Sequence, residues 1–156
     1  MKHEKMLHVK HKRFTRKEIG DIGESIAKKF LVKHGFVVLL QKYSKRSGEI
    51  DIIALKDSVY RFVEVKSLLL KNNVSHVTSL LQNKAHKEYV SRETYIPEYN
   101  FTKMKLKKLN RTALGYLDEF NVSQVAFSWQ VDLIAVKLDL MRKKASISFY
   151  QNIIDS

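Results

Sequence analysis

Two short strings, Gly48-Glu49-Ile50-Asp51-Ile52-Ile53-Ala54 and Phe62-Val63-Glu64-Val65-Lys66, set acids and an amine at a spacing that could cleave phosphodiesters. Both are rich in β-branched residues and are separated by a segment containing Asp57-Ser58, so they read as the antiparallel strands of a hairpin. With a two-residue turn at Asp57-Ser58, facing residues carry numbers that add to 115. Asp51 then stands opposite Glu64, Glu49 opposite Lys66 and Ile53 opposite Phe62, all on one face. Cross-strand partners lie about 4.5–5.5 Å apart at Cβ, where like charges repel. A divalent cation, Mg²⁺ or Mn²⁺, would offset that repulsion, because hard cations take carboxylate oxygen and are held by one or two carboxylates plus substrate phosphate. Lys66 shares the face of Glu64, since side chains alternate along a strand. Its ammonium could orient an attacking water or stabilise charge on the scissile phosphate.

The candidate catalytic residues are therefore Asp51, Glu64, Lys66 and Glu49, with Glu49 orienting Lys66 or water. The competing reading makes these four a solvated face of the sheet, with Glu49 and Lys66 as a weak surface ion pair. Spacing alone leaves both open.

The elements that would position these groups are legible on either side. Thr15-Arg16-Lys17-Glu18 matches a capping box, and Ile19, Ile22, Ile26 and Phe30 recur at helical spacing until Gly35. Gly20 and Gly23 weaken that helix intrinsically, so their use is a close approach of its backbone to the sheet. Phe36 to Leu40 suits a first strand, followed by a Lys-rich loop, Lys42 to Arg46, beside the substrate. Lys45 and Arg46 are the nucleic-acid-binding candidates there, as a patch and not as individual contacts.

Thr102 is a fitting N-cap for a second helix with Leu106, Leu109, Ala113, Leu117 and Phe120 as its apolar stripe. Lys105 and Lys103 fall on the two margins of that stripe, so Lys105 reaches toward the acidic face while Lys107, Lys108 and Arg111 point outward to phosphate or solvent. Phe127 to Val136 and Ala145 to Ile153 read as closing strands. Asp132 within them needs a hydrogen-bond partner if buried. Ser67 to Asn100 is the least patterned stretch, with helical fragments around Val77 to Val90, and reads as a flexible loop or cover.

The Gly48-Glu49-Ile50-Asp51 string followed by Phe62-Val63-Glu64-Val65-Lys66 resembles the core of the YraN family of endonuclease-like proteins, within the restriction-endonuclease-like PD-(D/E)xK superfamily that also holds Holliday-junction resolvases. Gly20-Asp21-Ile22-Gly23-Glu24 is similar to the family's opening helix. Thr102, Lys105, Leu109, Ala113, Tyr116 and Leu117 are spaced like its second helix, and Val131 to Val136 like its next strand. The resemblance runs from about Arg16 to Val136 and thins between Ser67 and Asn100. Lys42 and Ser44 stand where the family usually has an Asn and an Arg.

The resemblance implies a restriction-endonuclease-like α/β core, a mixed sheet flanked by helices in the order α-β-β-β-α-β. It implies a metal-dependent endonuclease acting on nucleic acid, DNA in the first instance. It also makes Glu24 an auxiliary metal ligand beside Asp51 and Glu64 or a group hydrogen-bonded to one, against the plain reading of a solvated helix residue. The resolvases work as dimers, which makes a homodimer plausible.

Composition agrees with these expectations. The chain has 156 residues, 44% of them hydrophobic, which suits one domain over residues 16–156. Residues 1–15 read as a basic flexible arm whose His3, His8 and His11 lack a regular metal-ligand spacing. Lys and Arg number 29 against 16 Asp and Glu, a net charge of +13 that favours a polyanionic partner. Charge alone would also suit an anionic membrane or an RNA-rich assembly. The absence of cysteine excludes disulfides, thiolate nucleophiles and Cys-based zinc sites and gives no sign of an oxidising compartment. No run approaches transmembrane length, so the expected setting is cytoplasmic with no membrane partner. Two other functions stay open beside the nuclease: a catalytically silent nucleic-acid-binding module of the same fold, and a basic structural partner of an RNA assembly.

Overall fold

The opening helix starts where its capping residues dictate. In the computed structural model, which describes residues 14–70, 102–123, 126–140 and 142–154, helix α1 spans Arg16–Lys33. Thr15 Oγ1 accepts from the Glu18 N–H at 3.1 Å, and Glu18 Oε2 accepts from the Thr15 N–H at 2.8 Å. Such a cap contributes about 1 kcal/mol. The helix stops before Gly35, whose φ of +82° continues the chain in a region that favours glycine. Of the arm expected over residues 1–15, Phe14 and Thr15 are described and Thr15 caps α1; the rest of it, the helical fragments expected around 77–90 and most of the unpatterned stretch lie outside the described residues.

Five strands follow the expected order, with a second helix between the third and fourth. They are β1 (Val37–Lys45), β2 (Gly48–Lys56), β3 (Val59–Leu69), β4 (Ser128–Asp139) and β5 (Lys144–Tyr150), and helix α2 spans Lys103–Glu119. The sheet order is β1-β2-β3-β4-β5; β3 and β4 run parallel and the other neighbours antiparallel. A parallel pair needs a crossover, and α2 lies on it.

Alternation along the central strands sends side chains to two cores. Ile52, Ala54, Val63 and Val65 pack with Ala27 and Leu31 of α1, whereas Ile53 and Phe62 pack with Leu109, Ala113, Tyr116 and Leu117 of α2. The result is an α/β arrangement of three layers, with one helix on each face of a mixed sheet.

The β2–β3 turn is as read from the sequence. Asp57 and Ser58 both have positive φ, 51° and 59°, the signature of a two-residue turn matched to strand twist. The pairs run from Lys56–Val59 to Ile52–Val63, so the register agrees with the expected one. The ladder ends there, however. Asp51 does not pair with Glu64, nor Glu49 with Lys66, because the Asp51 carboxylate takes the Val65 N–H in place of a backbone partner.

The Lys-rich stretch differs more. Tyr43, Ser44 and Lys45 pair with Ile50, Glu49 and Gly48, so β1 continues through residues expected in a loop and only Arg46 and Ser47 remain as the turn. Lys42, at a φ of 54°, sits within that extension. β4 and β5 also run to different limits than read from the sequence.

Asp132 is fully buried and has the partners its burial demands. It accepts from Arg61 Nε at 2.6 Å, Gln130 Nε2 at 2.8 Å and the Asn152 N–H at 2.9 Å. Arg61 also lies 5.3 and 5.7 Å from the ring centroids of Phe36 and Phe149. Among the described residues no helix is long and apolar enough to cross a membrane.

Candidate active site

Where β2 and β3 part, the sheet and the first turns of α2 enclose a cleft of about 350 Å³. Its walls include Glu49, Asp51 and Glu64 from the strands and Lys105, Lys108 and Leu109 from the helix, with Thr102 and Met104 at the helix start.

Two local devices hold this cleft together. Thr112 donates to Lys108 O at 2.9 Å and lies 3.0 Å from Ser47 Oγ, while Arg111 donates to Ser47 O at 3.1 Å. The β1–β2 turn is thus pinned to α2. Gly48 makes the approach possible: its φ is +154°, and a Cβ there would lie 2.8 Å from Thr112 Oγ1. On the other face, a Cβ on Gly23 would lie 1.6 Å from Ser67 Oγ, so α1 packs against β3 beside the acids only because residue 23 has no side chain.

Within the cleft, the Asp51 carboxylate accepts from the Val65 N–H at 2.6 Å. Burial pushes the Asp51 pKa up to about 7, and the charge of Glu64 pushes the same way; the Val65 hydrogen bond opposes them. Glu24 on α1 also raises it, and Lys105 lowers it. Asp51 therefore stands between two other carboxylates and resists carrying its charge.

Glu64 is buried, its side chain only 5% exposed, and is compensated by two ammonium groups on a single oxygen. Lys66 Nζ donates to Glu64 Oε1 at 2.6 Å, and Lys105 Nζ donates to the same atom. Burial is the largest single influence and works against the charge of Lys66, but the hydrogen bond to Glu64 together with the contact with Lys105 and the charges of Glu64 and Asp51 outweighs it and raises the pKa above 10.5. For Lys105 burial prevails over the pull of Glu64, assisted by the neighbouring Lys66, and the pKa falls below that value.

Asp51, Glu64, Lys66 and Lys105 thus come together as the sequence suggested, with Glu49 exposed on the cleft wall. Glu24 lies near Asp51 with Oε2 buried and without a hydrogen bond; its ion-pair contact with Lys42 Nζ is at 3.4 Å. Lys103 is exposed in the first turn of α2, and Arg46 is exposed in the β1–β2 turn. Lys45 is instead held by Glu119, at 2.8 Å, and is not among the residues lining the cleft.

Sequence reasoning did not find Ser47, Arg111 or Thr112 as the pin between turn and helix, nor Met104 and Lys108 as walls. The one signal of the pin was Gly48, a glycine immediately before the acidic strand.

The donor set suits a hard divalent cation. Asp51 and Glu64 offer carboxylate oxygen, their mutual repulsion would be relieved by positive charge, and Glu24 presents a buried oxygen whose ion pair with Lys42 is long, at 3.4 Å. Among the described residues no three His, Asp or Glu side chains are gathered closely enough to hold an ion by themselves. A cation here would rely on two carboxylates together with oxygen from water or substrate.

The chain is similar to proteins of Clostridium and Campylobacter species. A UPF0102 protein of Clostridium tetani is 33% identical over 122 residues, covering 78% of this chain and 90% of the relative. One from Campylobacter hominis is 31% identical over 136 residues, covering 87% and 93%, and one from Campylobacter fetus is 40% identical over 82 residues, covering 53% and 71%. The model of the family described as "Uncharacterised protein family UPF0102" matches residues 23–136, from the glycine that seats α1 on β3 to the end of the Val131–Val136 segment. On that match and these relatives, the chain belongs to the UPF0102 family.

Proposed function

We propose that this protein is a metal-dependent endonuclease of the restriction-endonuclease-like PD-(D/E)xK type, hydrolysing phosphodiester bonds of nucleic acid, DNA in the first instance. One observation carries the reading: Asp51 and Glu64 meet in a cleft of a protein whose net charge is +13, with two lysines gathered on Glu64. A basic protein has little reason to collect buried acids where a polyanion would bind unless a cation reconciles them.

Asp51 and Glu64 would hold Mg²⁺ or Mn²⁺, with Glu24 beside Asp51, and the cation would supply Lewis acidity toward the phosphodiester. Lys66 holds Glu64 in place, and its ammonium, on the Glu64 oxygen, would stabilise charge developing on a phosphate oxygen bound there. Glu49, on the wall, is placed to accept a hydrogen bond from water in the cleft. Lys105 and Lys103, in the first turn of α2, provide positive charge for the phosphate backbone where the helix N-terminus itself favours anions. Arg46 extends that charge from the neighbouring turn.

A second reading is favoured by a specific observation. Glu64 already has two ammonium partners, so its charge is compensated without any metal, as it would be in a nucleic-acid-binding module that turns nothing over. Incubating the purified chain with branched and single-stranded DNA, in Mg²⁺ and in chelator, separates the two. Mg²⁺-dependent cleavage supports the nuclease, whereas salt-sensitive binding without cleavage supports the module.

A further inference from the structure

We infer that Lys105 is an exchangeable cation, its ammonium holding Glu64 until a divalent cation takes its place and then turning to a phosphate of the bound nucleic acid. This rests on the metal-dependent reading above. It adds a coupling between the two ligands of that site.

The two lysines on Glu64 Oε1 are not equivalent. Lys66 belongs to the same strand, two residues beyond Glu64, and its side chain is 27% exposed. Lys105 comes from another element, the first turn of α2, is 37% exposed, and lines the open side of the cleft next to Thr102 and Lys108. Both ammonium groups crowd a single carboxylate oxygen and repel each other, so the more exposed one is the more readily displaced.

A divalent cation on Asp51 and Glu64 would bring further positive charge beside Lys105 and remove its reason to stay. The lysine stem has four flexible carbons and its ammonium three rotatable donors, so a new partner lies within a change of rotamer. At the start of α2 that partner is an anion, since Lys103, Lys108 and the positive end of the helix dipole already favour negative charge. Cation and polyanion should therefore bind cooperatively through Lys105, each tightening the other by the same factor.

The test uses the intact chain and two titrations that do not depend on turnover. Mn²⁺ binding is measured calorimetrically without nucleic acid, and binding of a phosphorothioate oligonucleotide is measured by fluorescence anisotropy with and without Mn²⁺. Lys105→Met should bind Mn²⁺ about five- to tenfold more tightly than the parent, because the competing ammonium is gone, and should lose the tightening of oligonucleotide binding by Mn²⁺. Lys105→Gln should behave like Lys105→Met, and Lys105→Arg should keep the coupling. Unchanged Mn²⁺ affinity in both Lys105→Met and Lys105→Gln, or undiminished coupling in them, overturns the inference. If those results accompany Mn²⁺ binding that Glu64→Gln abolishes, the exchange alone fails. If the parent chain binds no Mn²⁺, the metal-dependent reading fails and the exchange with it.

Discussion

Asp51 accepts the Val65 N–H at 2.6 Å, one residue beyond Glu64, and this single contact replaces a rung of the β2–β3 ladder with a carboxylate. It anchors Asp51 where the two strands separate and leaves its charge exposed to that of Glu64. The pKa near 7 follows from burial and from that neighbour.

Stability should therefore fall as pH rises from about 4 to about 7. Below the ordinary carboxylate value both folded and unfolded chains hold the Asp51 proton; between 3.8 and about 7 the unfolded chain releases it first, and above that the loss is complete. Asp51→Asn keeps an acceptor for the Val65 N–H and removes the charge. We expect it to raise stability at pH 8 by on the order of 1–2 kcal/mol after discounting for solvent screening, with little effect at pH 4. Denaturant melts at the two pH values check this; a variant less stable than the parent at pH 8 would refute it.

The register of the central hairpin was legible because Asp57-Ser58 suits a two-residue turn and because Ile52, Ile53, Phe62 and Val63 alternate between two apolar faces. The caps at Thr15 and Thr102 were legible for the same reason: they are local. Burial of Arg61 with Asp132, the hold of Arg111 and Thr112 on Ser47, and the capture of Lys45 by Glu119 join residues 64–74 positions apart and leave no periodic trace. The polar composition of the Lys-rich stretch suggests a loop, but it forms part of β1, an edge strand, which needs no apolar partner on its outer side. That Asp51, Glu64 and Lys66 share a face followed from pleat and turn, but the expected pairing of Asp51 with Glu64 does not form, because the ladder ends at Ile52–Val63. The hydrogen bond to Val65 did not, since it exists only because the ladder stops.

Gly23→Ala should destabilise the fold by about 1–3 kcal/mol, because the added methyl meets Ser67 Oγ, and this overrides a gain in helix propensity of about 1 kcal/mol. Ser67→Gly in the same chain should restore most of the loss. Ser67→Ala alone should be close to neutral, since it removes a buried hydroxyl that has no hydrogen-bond partner. Thermal melts of the three variants would detect a failure of the rescue.

Asp132→Ala should cost about 3–5 kcal/mol by leaving Arg61 buried without its charge partner. The side chains of Arg61 and Asp132 are 8% and 0% exposed, so water cannot take over. A fall in unfolding free energy of less than about 1 kcal/mol in denaturant melts would show that the pair is dispensable.

A divalent cation should raise the melting temperature more at pH 8 than at pH 5, because Asp51 must be ionised to bind it. At a hundredfold excess over Kd the stabilisation is about 2.7 kcal/mol. Scans with and without Mg²⁺ or Mn²⁺ at both pH values measure the difference, and an equal shift at the two would count against Asp51 as a ligand.

The most direct measurement is the rate of cleavage of labelled DNA at pH 8 in Mn²⁺ by the parent chain, Asp51→Asn and Glu64→Gln. We expect cleavage by the parent that chelator abolishes, and a fall of at least about 10²-fold in each variant while both remain folded. Cleavage that persists undiminished in Glu64→Gln, or a parent chain that binds DNA yet cuts none under these conditions, would contradict a shared cation at these two acids as the source of activity.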